Sequence, residues 1–221
     1  MSEITTAEGI EEFLRTFIDG HIVADVRKLI EINDEHRTSY PYLALAFCGI
    51  DLLGAIAEGG SVEHRFCWFM EEWMGKVNPL YGNEHLGMLL YDSCRNGIFH
   101  NAILKNTFTV SSYRYPQSIH LHLLSNERLV FLHSIKFAED FIEAQAMYRR
   151  HISSVTDKEY IKGLCRRLNE MLRWNREAKQ THVTRLVHDL ETTGHMVDES
   201  ATSSVSPTTG MTTTSPPLWR D

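Results

Sequence analysis

Over its first hundred residues the chain repeats apolar side chains three and four positions apart, the spacing that gathers them on one side of an α-helix. Ile10, Phe13, Leu14, Phe17 and Ile18 form the first stripe, and Thr5-x-x-Glu8 ahead of it has the form of a capping box. A break at Gly20 leads to a second set, Ile22, Val23, Val26, Leu29 and Ile30. "SYPYLALAFCGIDLLGAIAEGG" predicts a third helix, with Pro41 near its start and Gly59 and Gly60 past its end. Ser61-x-x-His64 opens a fourth, with Phe66, Phe69, Met70 and Trp73 on one side. Asn78, Pro79 and Gly82 then punctuate the chain before a fifth helix from about Glu84 to Ile103.

The period changes after residue 106. "NTFTVSSYRYPQSIHLHLLSNERLVFLHS" alternates β-branched or aromatic residues with polar ones, and "PQS" and "SNER" have turn composition. This stretch predicts a small antiparallel hairpin or three-stranded ribbon near residues 107–133. Helical spacing resumes from Ile135 through "FAEDFIEAQAMYRRHI" and again from Lys158 to about Leu190. The last segment, residues 191–221, is rich in Ser, Thr and Pro without apolar periodicity, which predicts a disordered tail. The expected organisation is a mainly α bundle over 1–155 that includes the ribbon, a C-terminal basic helix over 156–190, and the tail.

Composition narrows the class. With 221 residues, 43% hydrophobic and 23% charged, the chain suits one globular domain with an appendage. No run of eighteen apolar residues occurs, and the N-terminal stretch lacks the basic start and apolar core of a signal peptide. Cys48, Cys67, Cys94 and Cys165 include no C-x-x-C pair, which points to reduced thiols and a cytoplasmic location. The net charge of −7 is unevenly spread. Residues 1–72 carry −9 and residues 145–185 carry +6, an electrostatic footprint for nucleic acid or a basic helix pairing with the acidic half. No phosphate-binding G-x-x-x-x-G-K loop and no G-x-S-x-G nucleophile elbow is present, so neither P-loop NTPase nor α/β-hydrolase chemistry is expected.

Five Arg–His pairs have four or five intervening residues: Arg15/His21, Arg95/His100, Arg114/His120, Arg128/His133 and Arg176/His182. Spacing alone therefore selects none of them. Only Arg95 is followed by Asn, and only "RNGIFH" lies late in a long amphipathic helix.

On these residues, Arg95, Asn96 and His100, the chain resembles the HEPN superfamily over roughly residues 5–155. The fold implied is an up-and-down helical bundle with a β-hairpin insertion and a C-terminal helix. The resemblance further implies a homodimer that joins two motif helices in a cleft and cuts RNA without a metal or other cofactor. It also implies a toxin–antitoxin or defence setting, with an antitoxin or regulatory protein as a possible partner, and no membrane. The Tyr that some members place two residues past the His is Ala102 here. Family members that have lost cleavage act as RNA- or nucleotide-binding modules or regulatory partners, which is the alternative function.

The chemistry of the residues fits such a reaction. His100 titrates near neutrality and suits a general base for the ribose 2′-OH. Arg95 suits a bidentate phosphate clamp, with Asn96 in support. At ideal helical spacing Asp92, Asn96 and His100 share a stripe, so Asp92 would orient His100 or pair with Arg95. The competing reading is a solvated helix face with an ordinary Asp92–Arg95 ion pair. Gly97 is a poor helix former that suits close approach of another backbone. Arg149, Arg150, Arg166 and Arg167 are candidates for contact with an RNA backbone. In the ribbon, pairing Leu124 with Leu129 places His120, His122 and His133 on one face, a third reading in which they bind zinc or another divalent metal.

Overall fold

The computed structural model describes residues 3–32, 39–101, 107–112, 116–124 and 129–192. The first two apolar stripes belong to one helix, α1. It begins behind Thr6, whose Oγ1 accepts from the N–H of Gly9, so Thr6 rather than Thr5 is the cap. α1 runs over Ala7–Phe13, passes through a π-type stretch at Leu14–Val23, and regains α geometry over Ala24–Glu31. The expected break at Gly20 does not occur. An interior glycine costs about 1 kcal/mol. Burial of Ile10, Phe13, Leu14, Ile18, Val23 and Val26 outweighs it, at about 1.5–3 kcal/mol for each large apolar side chain.

α2 (Ser39–Ala57) is the centre of the bundle. Tyr42, Leu43, Ala46, Phe47, Ile50, Leu53 and Ile56 are buried at helical spacing. Two glycines set its closest approaches. A Cβ on Gly49 would stand 2.2 Å from the Phe141 ring, and one on Gly54 would stand 2.2 Å from the Arg65 carbonyl oxygen. Among the described residues, the Tyr40–Ala57 stretch alone is long and apolar enough to cross a membrane, with mean hydropathy 1.6. Here 56% of that stretch is buried inside the protein, as in a core helix.

α3 comprises Val62–Phe69, a π-type stretch Met70–Met74, and Gly75–Val77, with Ser61 capping as its spacing suggested. A 3-10 turn at Pro79–Gly82 leads to α4, which comprises Glu84–Leu89, a π-type stretch Leu90–Arg95, and Asn96–Asn101. α5 (Ser134–Ser154) packs Phe137, Phe141, Ala144 and Tyr148 into the core. α6 spans Lys158–Thr192.

The small sheet is mixed. β2 (Leu123–Leu124) runs antiparallel to β3 (Leu129–His133), with Leu124 opposite Leu129 as expected. β1 (Phe108–Ser111), however, lies parallel to β3, giving the order β1-β3-β2 instead of an antiparallel ribbon. Residues 112–128 are long enough for the crossover that a parallel pair requires. "PQS" forms a 3-10 turn over Gln117–Ile119, while "SNER" lies outside the described residues.

The compact unit extends to Arg173, beyond the expected boundary at residue 155. Leu164, Cys165 and Leu168 of α6 are buried, and the Asn169 amide exchanges two hydrogen bonds with the backbone of Ile4, at 3.0 and 2.6 Å. From Trp174 a second unit begins, in which the described backbone is helical to Thr192. The expected tail beyond Thr192 lies outside the described residues.

Candidate functional site

Arg95 closes the π-type stretch of α4, and Asn96 opens the α-helical turns that follow. The Arg95 Nε and Nη2 donate to Oδ2 of Asp51 on α2 at 2.9 and 2.8 Å, and Nη1 donates to Oδ1 of Asn96 at 2.8 Å. Three of the five guanidinium N–H groups are so engaged, leaving one on each terminal nitrogen beyond these bonds. The rings of Tyr91 and Phe99 lie 5.5 and 5.2 Å from the guanidinium carbon, within cation–π range. Side-chain exposure is 18% for Arg95 and 14% for Asp51, so the pair is largely withdrawn from water.

That withdrawal governs Asp51. Burial pushes its carboxyl above the usual range, while hydrogen bonding to Arg95 and the charges of Arg95 and Arg65 pull it back down. Both Arg95 donors converge on Oδ2, and Oδ1 is buried with no hydrogen-bond partner among the described residues. Cys48 lies on α2, one turn before Asp51; partial burial and then the charge of Asp51 push its thiol up, against the pull of Arg95. Asp51 and Arg65 join the cluster without having been singled out from the sequence.

Asp51 is thus a buried partner of Arg95 that spacing had not pointed to. Asp92, Asn96 and His100, expected on one stripe, follow one another along α4, which is π-type up to Arg95. Asp92 is exposed and Asn96 half-buried. The backbone of His100 lies one turn past Asn96 in α4, and its side chain lies outside the described residues. Gly97 is buried.

The four arginines considered for RNA contact divide into two pairs. Arg149 forms an ion pair with Asp19 of α1. Arg167 caps the C-terminal end of α2, donating from Nε to the Ile56 carbonyl at 2.7 Å and from Nη2 to that of Ala57. Arg150 and Arg166 are exposed.

His120, His122 and His133 are not brought to one face. Leu121 has φ 62°, which breaks strand alternation and turns His120 inward while His122 stays exposed. His120 Nδ1 accepts from the backbone N–H of His133 at 3.0 Å, and its Nε2 lies 2.6 Å from the Tyr81 hydroxyl. A neutral imidazole that accepts at Nδ1 carries its proton at Nε2, so it donates to Tyr81. The Tyr81 hydroxyl in turn donates to Asp140 at 3.1 Å, and Lys136 ion-pairs with Asp140. Burial, then the charges of His133, Lys136 and His122, hold the His120 imidazole down at about 3. His133 serves as the cap of α5, its Nδ1 accepting from the N–H of Lys136 at 3.3 Å. Two of the three imidazoles therefore hold the sheet to the bundle. No group of three or more His, Cys, Asp or Glu placed to hold a metal ion occurs among the described residues.

Comparison with known proteins returns no matching family model, no similar curated protein and no similar solved structure.

Proposed function

We propose that the protein is a metal-independent endoribonuclease of HEPN type, acting as a homodimer on RNA. His100 takes the proton from the ribose 2′-OH, the 2′-oxygen attacks phosphorus, and the 5′-oxygen leaves with a proton. The products are a 2′,3′-cyclic phosphate and a 5′-OH end. The observation that carries this reading is the state of Arg95. Asp51 and Asn96 fix its guanidinium in place and leave one N–H on each terminal nitrogen beyond those bonds. A side chain already ordered loses little entropy when it meets phosphate, and its charge counters the charge that develops in the transition state.

Dimerisation accords with exposed apolar residues on the two helices that carry Arg95 and Asp51. Met88, Leu89 and Phe99 of α4 and Tyr40 of α2 are exposed large apolar residues. A symmetric pairing through these helices would cover such residues and supply the leaving-group acid from a second His100. Exposed Arg150 and Arg166 remain available to an RNA backbone. A toxin–antitoxin or defence setting in the cytoplasm, with a protein antitoxin as regulator, follows by analogy with the family.

A second reading, a non-catalytic RNA- or nucleotide-binding module, is favoured by the charge compensation of Arg95 by Asp51. Cleavage of RNA in EDTA by wild type, Arg95→Ala and His100→Ala, with product ends mapped, separates the two. Cleavage by wild type alone, leaving cyclic phosphates, supports the nuclease. RNA binding without cleavage by folded dimers supports the module, and cleavage unchanged in both variants refutes both roles for the motif.

A further inference from the structure

A different set of residues forms a cleft of about 430 Å³ between α3, the end of α5 and the start of α6. Its size falls within the range of small-ligand sites. Its walls are aromatic. Trp73 and His151 stand 5.2 Å apart by ring centroids, His151 and Tyr160 stand 6.1 Å apart, and Trp68 also lines the cleft. The ammonium of Lys76 lies 3.7 Å from the centroid of Trp73, so this ring face already holds a cation. Glu72 and Asp157 supply two carboxylates to the lining.

Two ligand classes compete for such a place. An anion would look to the N-terminus of α6, yet Asp157 Oδ1 already accepts from the N–H groups of Glu159 and Tyr160, at 2.9 and 3.2 Å. That helix end is satisfied and shielded by a carboxylate, which disfavours phosphate. A cation meets π-faces and two carboxylates. To displace Lys76 it must shed its water more readily than a primary ammonium does, which favours a methylated one.

We propose that this cleft binds a small organic cation with a quaternary ammonium head, seated on Trp73 in the place where Lys76 now lies. Lys76 is a tethered competitor that leaves when the ligand enters. Calorimetric titration of the full chain with choline, and with its uncharged isostere 3,3-dimethylbutan-1-ol, tests this directly. Saturable binding of choline but not of the isostere is expected. Lys76→Ala should tighten choline binding about two- to fivefold by removing the internal cation. Glu72→Gln, at an exposed position, should weaken it about twofold. Titration with Nα-acetyl-Nε-trimethyllysine amide, compared with choline, tells whether the head belongs to a modified side chain or to a free small molecule. Absence of choline binding to both wild type and Lys76→Ala, or equal binding of the isostere, overturns the proposal.

Discussion

The Arg95–Asp51 pair joins α4 to the centre of the bundle, and removing either partner tests what it contributes. Two opposed terms set the magnitude. Withdrawing both charges from water is costly, and the raised Asp51 carboxyl shows that burial outweighs its attraction to Arg95. The intact pair therefore adds little net stability, whereas one partner alone leaves an uncompensated charge. Breaking a fully buried pair costs about 3–5 kcal/mol. With exposures of 18% and 14%, some water reaches the orphan, and about 2–3 kcal/mol is the discounted expectation for Asp51→Ala. Arg95→Ala should cost less, about 1–2 kcal/mol, because Asp51 can take up a proton while a guanidinium cannot lose one. The double variant should fall well short of the sum, with a coupling of about 1.5 kcal/mol or more. Urea unfolding of the four proteins at pH 7 measures this cycle. Additivity to within about 0.5 kcal/mol, or Arg95→Ala as the more damaging single change, would refute the reasoning.

Burial also sets the acid response. The native state refuses a proton at His120 that the unfolded chain accepts near pH 6.5. The stability this contributes is complete above pH 6.5 and is lost as pH falls toward about 3, at up to about 1.4 kcal/mol per pH unit. His120→Asn, which keeps an acceptor for the N–H of His133, should lower stability at pH 7 and flatten the slope between pH 6.5 and 4.5 in urea unfolding. A parallel slope would sink the assignment. Arg167→Ala frees two carbonyls at the end of α2 and should cost about 1–3 kcal/mol by thermal unfolding, with Arg167→Lys recovering part of the loss. Gly49→Ala should destabilise by about 1–3 kcal/mol despite alanine's better helix propensity, because its Cβ meets the Phe141 ring. An unchanged or raised melting temperature would show that the ring has room to move.

The helices were legible because amphipathic spacing survives every local irregularity. Glycine at position 20 and the π-type stretches shift which residue faces where, but not whether the segment is helical. The pairing of β2 with β3 was legible because only four residues of the sequence separate Leu124 from its partner Leu129. β1 was not, because a parallel partner is chosen by distant packing and leaves no local pattern. The H-x-H of His120 and His122 misled through one backbone angle. Strand alternation would put both on one face, and the left-handed conformation of Leu121 sends one into the core and leaves the other in water.

Asp51 marks where more could have been read. It is the only charged residue in Ser39–Ala57, the most apolar segment of the chain. A carboxylate carried into the core by such a helix must find a cation, since an unpaired buried charge costs several kcal/mol. The existence of a partner followed from sequence, but its identity did not, because no local rule selects Arg95 from across the bundle. The same logic separates Arg95 from Arg15, the other paired arginine whose side chain is among the described residues. Of the paired arginines, Arg15 binds Glu12 within its own helix in the open, whereas Arg95 is held by an acid of the core helix. That arrangement satisfies the buried carboxylate of Asp51 and ties α4 to the core helix. The phosphate-binding role proposed for Arg95 draws on the same order: a guanidinium held still by Asp51 and Asn96 has one N–H on each terminal nitrogen beyond those bonds.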